Sequence, residues 1–221
     1  LMRQVSPILE KQMQEDEQAL QAKIAAAEAS GSNQKVKVVY TIPVVVHVVY
    51  KTAIQNISDA QVLSQIDVLN EDFRRLNADT VNTPSYFQSV AADVEFQFCM
   101  AHTDPSGNYT TGIERTLTTM NSFGINSDVK FASSGGANAW NTLQYFNIWV
   151  CNLANPYLGF GEFPTSTVTN TYGLVVGYNY FGRVGTLSAP YNKGRTATHE
   201  IGHCFNLRHI WGDDGSACTG S

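Results

Sequence analysis

The residues best suited to do chemistry lie together near the end of the chain, in His199-Glu200-Ile201-Gly202-His203-Cys204-Phe205-Asn206-Leu207-Arg208-His209. Imidazole is a ready zinc ligand. His199 and His203 stand four residues apart, so on a helix both rings leave one face and can grip one ion. Glu200 lies beside them, near enough to handle a metal-bound water without being a ligand. His209 supplies a third imidazole and leaves the fourth position for water, the arrangement of a catalytic rather than a structural zinc. A straight helix from His199 to His209 would span roughly 15 Å, too far to share a metal. The chain must therefore turn sharply after His203. Asn206 stands where the break is needed, and asparagine is the best non-glycine residue for a left-handed conformation.

Other elements must position these groups. Residues 6–30 read as one helix, with Ser6 as N-cap, Pro7 at the first helical position and Gly31 as the stop. Its apolar stripe (Leu9, Met13, Leu20, Ile24, Ala27) is thin, so residues 1–35 form an appended helix and linker. Residues 36–221 form the main domain. At the junction, Lys35 to Tyr50 reads as a strand in which Pro43 marks an edge or an irregularity. Ser58 and Gln61 form a capping box. Val62, Ile66, Leu69, Phe73 and Leu76 then recur at helical spacing. Val94, Phe96, Phe98 and Met100 alternate as a half-buried strand, and Ile113 to Thr119 reads as another. A short helix is expected near Ala137–Gln144. Phe146–Leu153 and Leu174–Tyr180 read as buried strands, and the motif helix covers about Arg195–Phe205. Strand, long helix, several strands and a last helix make an α/β (α+β) sandwich with a mixed sheet.

The motif resembles the extended zinc signature of the metzincin metallopeptidases, H-E-x-x-H-x-x-G-x-x-H, with Asn206 in the glycine place. Its continuation through Ile210-Trp211-Gly212-Asp213 is similar to the pappalysin family, in particular its bacterial, cytophagalysin-like branch. Ile42 to Tyr50, Asn147 to Leu153 and Gly194 to Thr198 carry the same resemblance, which spans most of residues 36–213. It implies a metzincin-like N-terminal subdomain, with a twisted sheet of about five strands, a backing helix and the active-site helix. It also implies a zinc endopeptidase with His199, His203 and His209 as metal ligands. Glu200 would be general base and then general acid for a zinc-bound water attacking a peptide carbonyl. The implied partner is a protein or peptide substrate. Gly159-Phe160-Gly161-Glu162-Phe163-Pro164 resembles the edge strand forming the upper rim of the family's cleft, to which an extended substrate could add by main-chain hydrogen bonds.

Several residues have plainer readings. Gly202 inside a helix costs about 1 kcal/mol against alanine, so something is expected to pack close to it. Cys204 points away from the metal face and reads as buried packing. His47 and His102 read as hydrogen-bonded structural residues. Asp213 and Asp214 could bind calcium or orient a ligand, but an exposed acidic turn is the favoured reading.

A net charge of −5 without a Lys/Arg cluster argues against nucleic acid as the partner. The longest apolar run, Ile42 to Tyr50, is about half the roughly 20 residues needed to span a membrane. Low Lys and abundant Asn, Thr, Ser, Tyr and Gly fit a secreted protein. Cys99, Cys151, Cys204 and Cys218 are too scattered for a disulfide scaffold.

All four methionines precede the motif, so the methionine turn of metzincins is not in the chain. The chain reads as ending before the C-terminal subdomain, with Cys218 separated from a disulfide partner there. A C-terminal fragment of the same protein is then a partner. Residues 1–35 are the remainder of an inhibitory pro-segment in this reading, with Asp16 weighed as a zinc-blocking group. The rival reading is an inactive binding or structural protein on a metallopeptidase scaffold.

Overall fold

In the computed structural model, residues 7–29, 38–165 and 169–209 are described. The linker, Asp213, Asp214 and Cys218 lie outside them. Helix α1 covers Pro7–Ala29. Strand β1 (Tyr40–Tyr50) follows, then α2 (Asp59–Phe73), β2 (Phe96–Met100), β3 (Ile113–Leu117), β4 (Phe146–Cys151), β5 (Gly159–Gly161), β6 (Gly173–Gly177) and α3 (Arg195–Cys204). The sheet order is β2-β1-β4-β6-β5, with β3 pairing β1 beyond the end of β2. All neighbours are parallel except β5, which runs antiparallel along β6 at the edge.

β1 is therefore an interior strand despite Pro43. The register explains why this is tolerated. Pro43 pairs with Cys99 of β2, but β4 begins only opposite Val44, so the ring faces the side where no ladder has yet begun. From Val44 to Val49 the strand is buried, and β4 and β6 are buried throughout. Parallel strands covered on both faces read as continuous apolar runs for this reason.

One face carries the helices. Val62, Ile66, Leu69 and Phe73 of α2 and Ala197, Ile201 and Cys204 of α3 pack on Val44, Val46, Val48, Ile148, Leu174 and Val176. The opposite face carries Trp149, Val175 and Cys151 under the loops containing Phe123 and Val129.

Several expected boundaries move. No helix forms at Ala137–Gln144, because the buried Asn147 side chain takes that backbone. Its Oδ1 accepts from Trp140 N at 2.8 Å, and its Nδ2 donates to Trp140 O and Tyr145 O, both at 3.1 Å. Leu76 falls outside α2 and is exposed. Val94 precedes β2, which starts after Glu95 with φ +60°. The strand expected over Leu174–Tyr180 stops at Gly177 and continues as a short 3-10 turn. Ser58 Oγ accepts from Gln61 N at 3.2 Å as the capping box requires. The Gln61 side chain turns inward instead of completing the box. Its Nε2 donates to Tyr178 O at 3.0 Å and Phe181 O at 2.9 Å.

Candidate active site

Helix α3 is held at its start by two elements of α2. Gly194, the N-cap, has φ +72°, and its carbonyl accepts from Gln65 Nε2 at 3.0 Å. Asp72 accepts from Thr198 Oγ1 at 2.7 Å and pairs with Arg195 Nε at 3.0 Å. Burial raises the Asp72 pKa, while Thr198 and Arg195 pull it back down. Ala197, Ile201 and Cys204 anchor α3 to the core, so His199 and His203 leave from its other side. Cys204 is a buried thiol pushed up by burial to about 12, a packing residue as expected.

The helix ends in a left-handed cap. Asn206 has φ +67°, the value its place in the motif demands. Asn206 N donates to His203 O at 3.0 Å, and Leu207 N reaches back to Gly202 O at 2.9 Å. These are the two bonds of a Schellman motif, which satisfies the last carbonyls and swings the chain back over the helix. Leu207 comes over Gly202, but a methyl group there would meet it at 3.7 Å, ordinary contact. The close packing expected at Gly202 is not present.

The reversal brings His209 onto His199 and His203. The Nε2 atoms of His199 and His209 are 3.2 Å apart, as are those of His199 and His203. Two nitrogens at about 2.0–2.1 Å from a tetrahedral zinc would be about 3.3 Å apart. The three imidazoles form the one group of potential metal ligands among the described residues. His203 Nδ1 lies 2.7 Å from Leu207 O. A carbonyl can only accept, so Nδ1 carries the hydrogen and Nε2 presents a lone pair to the cluster. Spacing, orientation and donor type all fit a zinc ion.

Glu200 sits on the same helix, partly buried beneath β5. Its Oε2 accepts from Gly161 N at 3.0 Å. Burial raises its pKa to about 7, against smaller downward pulls from the Gly161 N–H and from His209. β5 comes this close because it carries glycines. A Cβ on Gly161 would fall within 3.0 Å of the Glu200 carbonyl oxygen and 3.1 Å from Cys204 Sγ. Phe163 then tilts over His203 with ring centroids 5.2 Å apart, and the Arg208 guanidinium lies 6.0 Å over Phe163.

The histidines set aside in the sequence stay outside this site. His47 is buried, stacked on Trp149 at 5.3 Å, with Nε2 2.9 Å from Asn147 Oδ1. Burial pushes its pKa down to about 4. His102 stacks near Tyr109. Cys99, Cys151 and Cys204 are free thiols, so no disulfide occurs among the described residues. What the sequence did not single out is the support: Gln65 and Asp72 under α3, and Lys130 with Glu162 beside β5. Gln61 and Gln65 at helix positions facing the core were a readable signal, since buried amides need partners. Lys130 gave none.

A family model described as pregnancy-associated plasma protein-A matches residues 131–221. Mirolysin with a bound compound is 56% identical over 83% of this chain and 69% of its own, with a TM-score of 0.79. A promirolysin variant of Tannerella forsythia is 49% identical over 96% of this chain and 71% of its own, with a TM-score of 0.80. An extracellular metalloprotease of Arthroderma benhamiae is 26% identical over 181 residues, 80% of this chain. The chain spans about half the length of that curated relative, 54%.

Proposed function

We propose, from the premise that the chain belongs to the pappalysin family of metallopeptidases, that it serves a zinc-dependent endopeptidase that hydrolyses protein substrates outside the cell. A metallopeptidase family implies a bound metal. The observation that carries zinc and its three ligands is the cluster of Nε2 atoms 3.2 Å apart, with the His203 tautomer fixed. Zinc held there acidifies a water molecule and polarises a carbonyl.

The chain's own groups do the rest. Glu200 takes a proton from the attacking water and returns it to the leaving amine. A carboxylate poised near neutrality can work in both directions; burial puts Glu200 at about 7 in the metal-free site, and a bound cation would lower it. Gly161 N–H holds one carboxylate oxygen so that the other is turned to the proton. Among the described residues β5 pairs with β6 along one side only, and its other side offers main-chain groups to an extended substrate. Mirolysin has been seen with a cleaved peptide, which supports this use of the cleft. The second wall would come from sequence that the longer relatives carry beyond this match. Calcium remains assigned to no described residue.

Residues 1–35 would act as a pro-segment. The promirolysin matches 96% of the chain and the mirolysin 83%, a difference of about 29 of 221 residues. On α1, Glu17 Oε2 accepts from Asn206 Nδ2 at 2.6 Å, at the turn that carries His209. Glu17 therefore replaces Asp16, whose side chain is outside the described set, as the acidic residue of interest.

The test is turnover of a denatured protein with and without a zinc chelator, alongside metal analysis of His203→Ala. Loss of turnover with chelator and loss of zinc from the variant are expected. Full zinc occupancy in His203→Ala, or chelator-insensitive turnover, refutes the reading.

A further inference from the structure

Lys130 lies outside the histidine cluster, yet its bonds to Glu162 and Thr171 lead to the strand that holds Glu200. It ends a 3-10 turn, Asp128–Lys130, on the sheet face opposite the helices, and only 1% of it is exposed. A buried ammonium is costly unless it is paired and hydrogen-bonded. Its Nζ lies 2.6 Å from Glu162 Oε1 and 2.6 Å from Thr171 O. It also lies 5.1 Å over the Trp149 ring and 5.5 Å over the Phe160 ring. Glu162 is held a second time, its Oε2 accepting from Thr171 Oγ1 at 3.0 Å. Phe160, Glu162 and Thr171 belong to β5 and to the segment that returns from it to β6.

β5 needs such an anchor. It is three residues long and pairs with one strand among the described residues. The bond that closes its pairing, Glu162 N to Gly173 O, is long at 3.3 Å. Yet the residue before Glu162 supplies the N–H that holds Glu200, and the strand's open side is the proposed substrate edge. A short edge strand without side-chain anchoring frays readily.

We propose that Lys130 is a positioning residue for peptide hydrolysis: the pair of its buried ammonium with the half-buried Glu162 pins β5, and so fixes the Gly161 N–H on Glu200. The inference rests on the peptidase reading above. Lys130 pulls Glu162 toward the sheet, while the glycines let β5 lie flush on α3. The strand is thereby clamped from both sides, with the base held in the grip of its main chain.

The experiment compares wild type, Lys130→Met and the double variant Lys130→Met/Glu162→Met, in the intact protein. Replacing a buried ion pair by apolar side chains often leaves stability unchanged, so the double variant keeps its melting temperature near wild type and separates positioning from folding. Two readouts are taken. Amide hydrogen exchange at residues 159–162 should speed up at least tenfold in both variants while β1 and β4 stay protected. kcat should fall about 10–100-fold, the usual range for outer partners of a metal site, with KM for a short peptide changing less than threefold and zinc content unchanged. Wild-type kcat in the double variant, or a fall in kcat with exchange at Gly161 unchanged, overturns the proposal. If the wild-type protein shows no chelator-sensitive turnover, the peptidase reading falls instead, and the exchange of the Gly161 amide still decides whether Lys130 holds the strand.

Discussion

Gly161→Ala tests the contact between β5 and α3, the helix that carries Glu200, most directly. The added methyl would fall within 3.0 Å of the Glu200 carbonyl oxygen and press on Cys204 Sγ at 3.1 Å. The first is backbone of a packed helix and cannot swing aside, so β5 must retreat by roughly half an ångström or more. Overpacking of this kind costs about 1–3 kcal/mol. At about 2–4 °C per kcal/mol for a domain of this size, the melting temperature should drop by roughly 2–12 °C. Activity should suffer more than stability. The retreat carries the Gly161 N–H away from Glu200 Oε2, now 3.0 Å distant, and misplacement by about 1 Å can cost about 10²-fold in rate. Gly124→Ala is the control, since it too replaces a glycine, without a left-handed backbone, and the added methyl meets only Asn126 Oδ1 at 3.6 Å, an ordinary contact. The assay is kcat/KM on a quenched fluorescent peptide, with zinc content measured in parallel. A Gly161→Ala enzyme within threefold of wild type, with its zinc intact, would show that the close approach of β5 has no part in catalysis.

Three further outcomes are expected. Glu200→Gln should keep its zinc and fold while losing about 10²–10⁴-fold in kcat; near wild-type turnover would remove Glu200 from the proton relay. Asn206→Gly should be tolerated because φ is +67° there, whereas Asn206→Val should lower zinc affinity, measured by competition with a chromogenic chelator, since a left-handed β-branched residue is strained by about 1–2 kcal/mol; equal affinities would contradict this. Burial raises Glu200 to about 7, so the folded metal-free protein binds a proton there that the unfolded chain releases at lower pH. This group's contribution should therefore make the metal-free protein more stable near pH 5 than near pH 8 relative to Glu200→Gln. A bound cation should shift the acid limb of kcat/KM below 7; a limb above 7 in the zinc form would count against Glu200 as the base.

Local chemistry was legible without coordinates. The i, i+4 histidines, the adjacent glutamate and an asparagine where the chain must reverse mark a helix suited to hold a metal and its left-handed end. Rotation per residue and the cost of positive φ are properties of the backbone wherever it sits. The buried strands were legible for a similar reason, because a parallel sheet covered on both faces leaves long Val/Ile runs. Tertiary structure decided what depended on distant partners. Asn147 took the backbone of 137–145 and cancelled a helix, the Gln61 side chain left its capping box for the 178–186 loop, and Pro43 fitted an interior strand because β4 starts one residue later. Lys130 and Glu162 lie 32 residues apart in sequence and 2.6 Å apart in space. No periodicity marks such a pair, since a buried charge is chosen by the distant partners that make its burial tolerable. The sequence alone determined which residues could hold and use a metal, and the fold decided which others hold them in place.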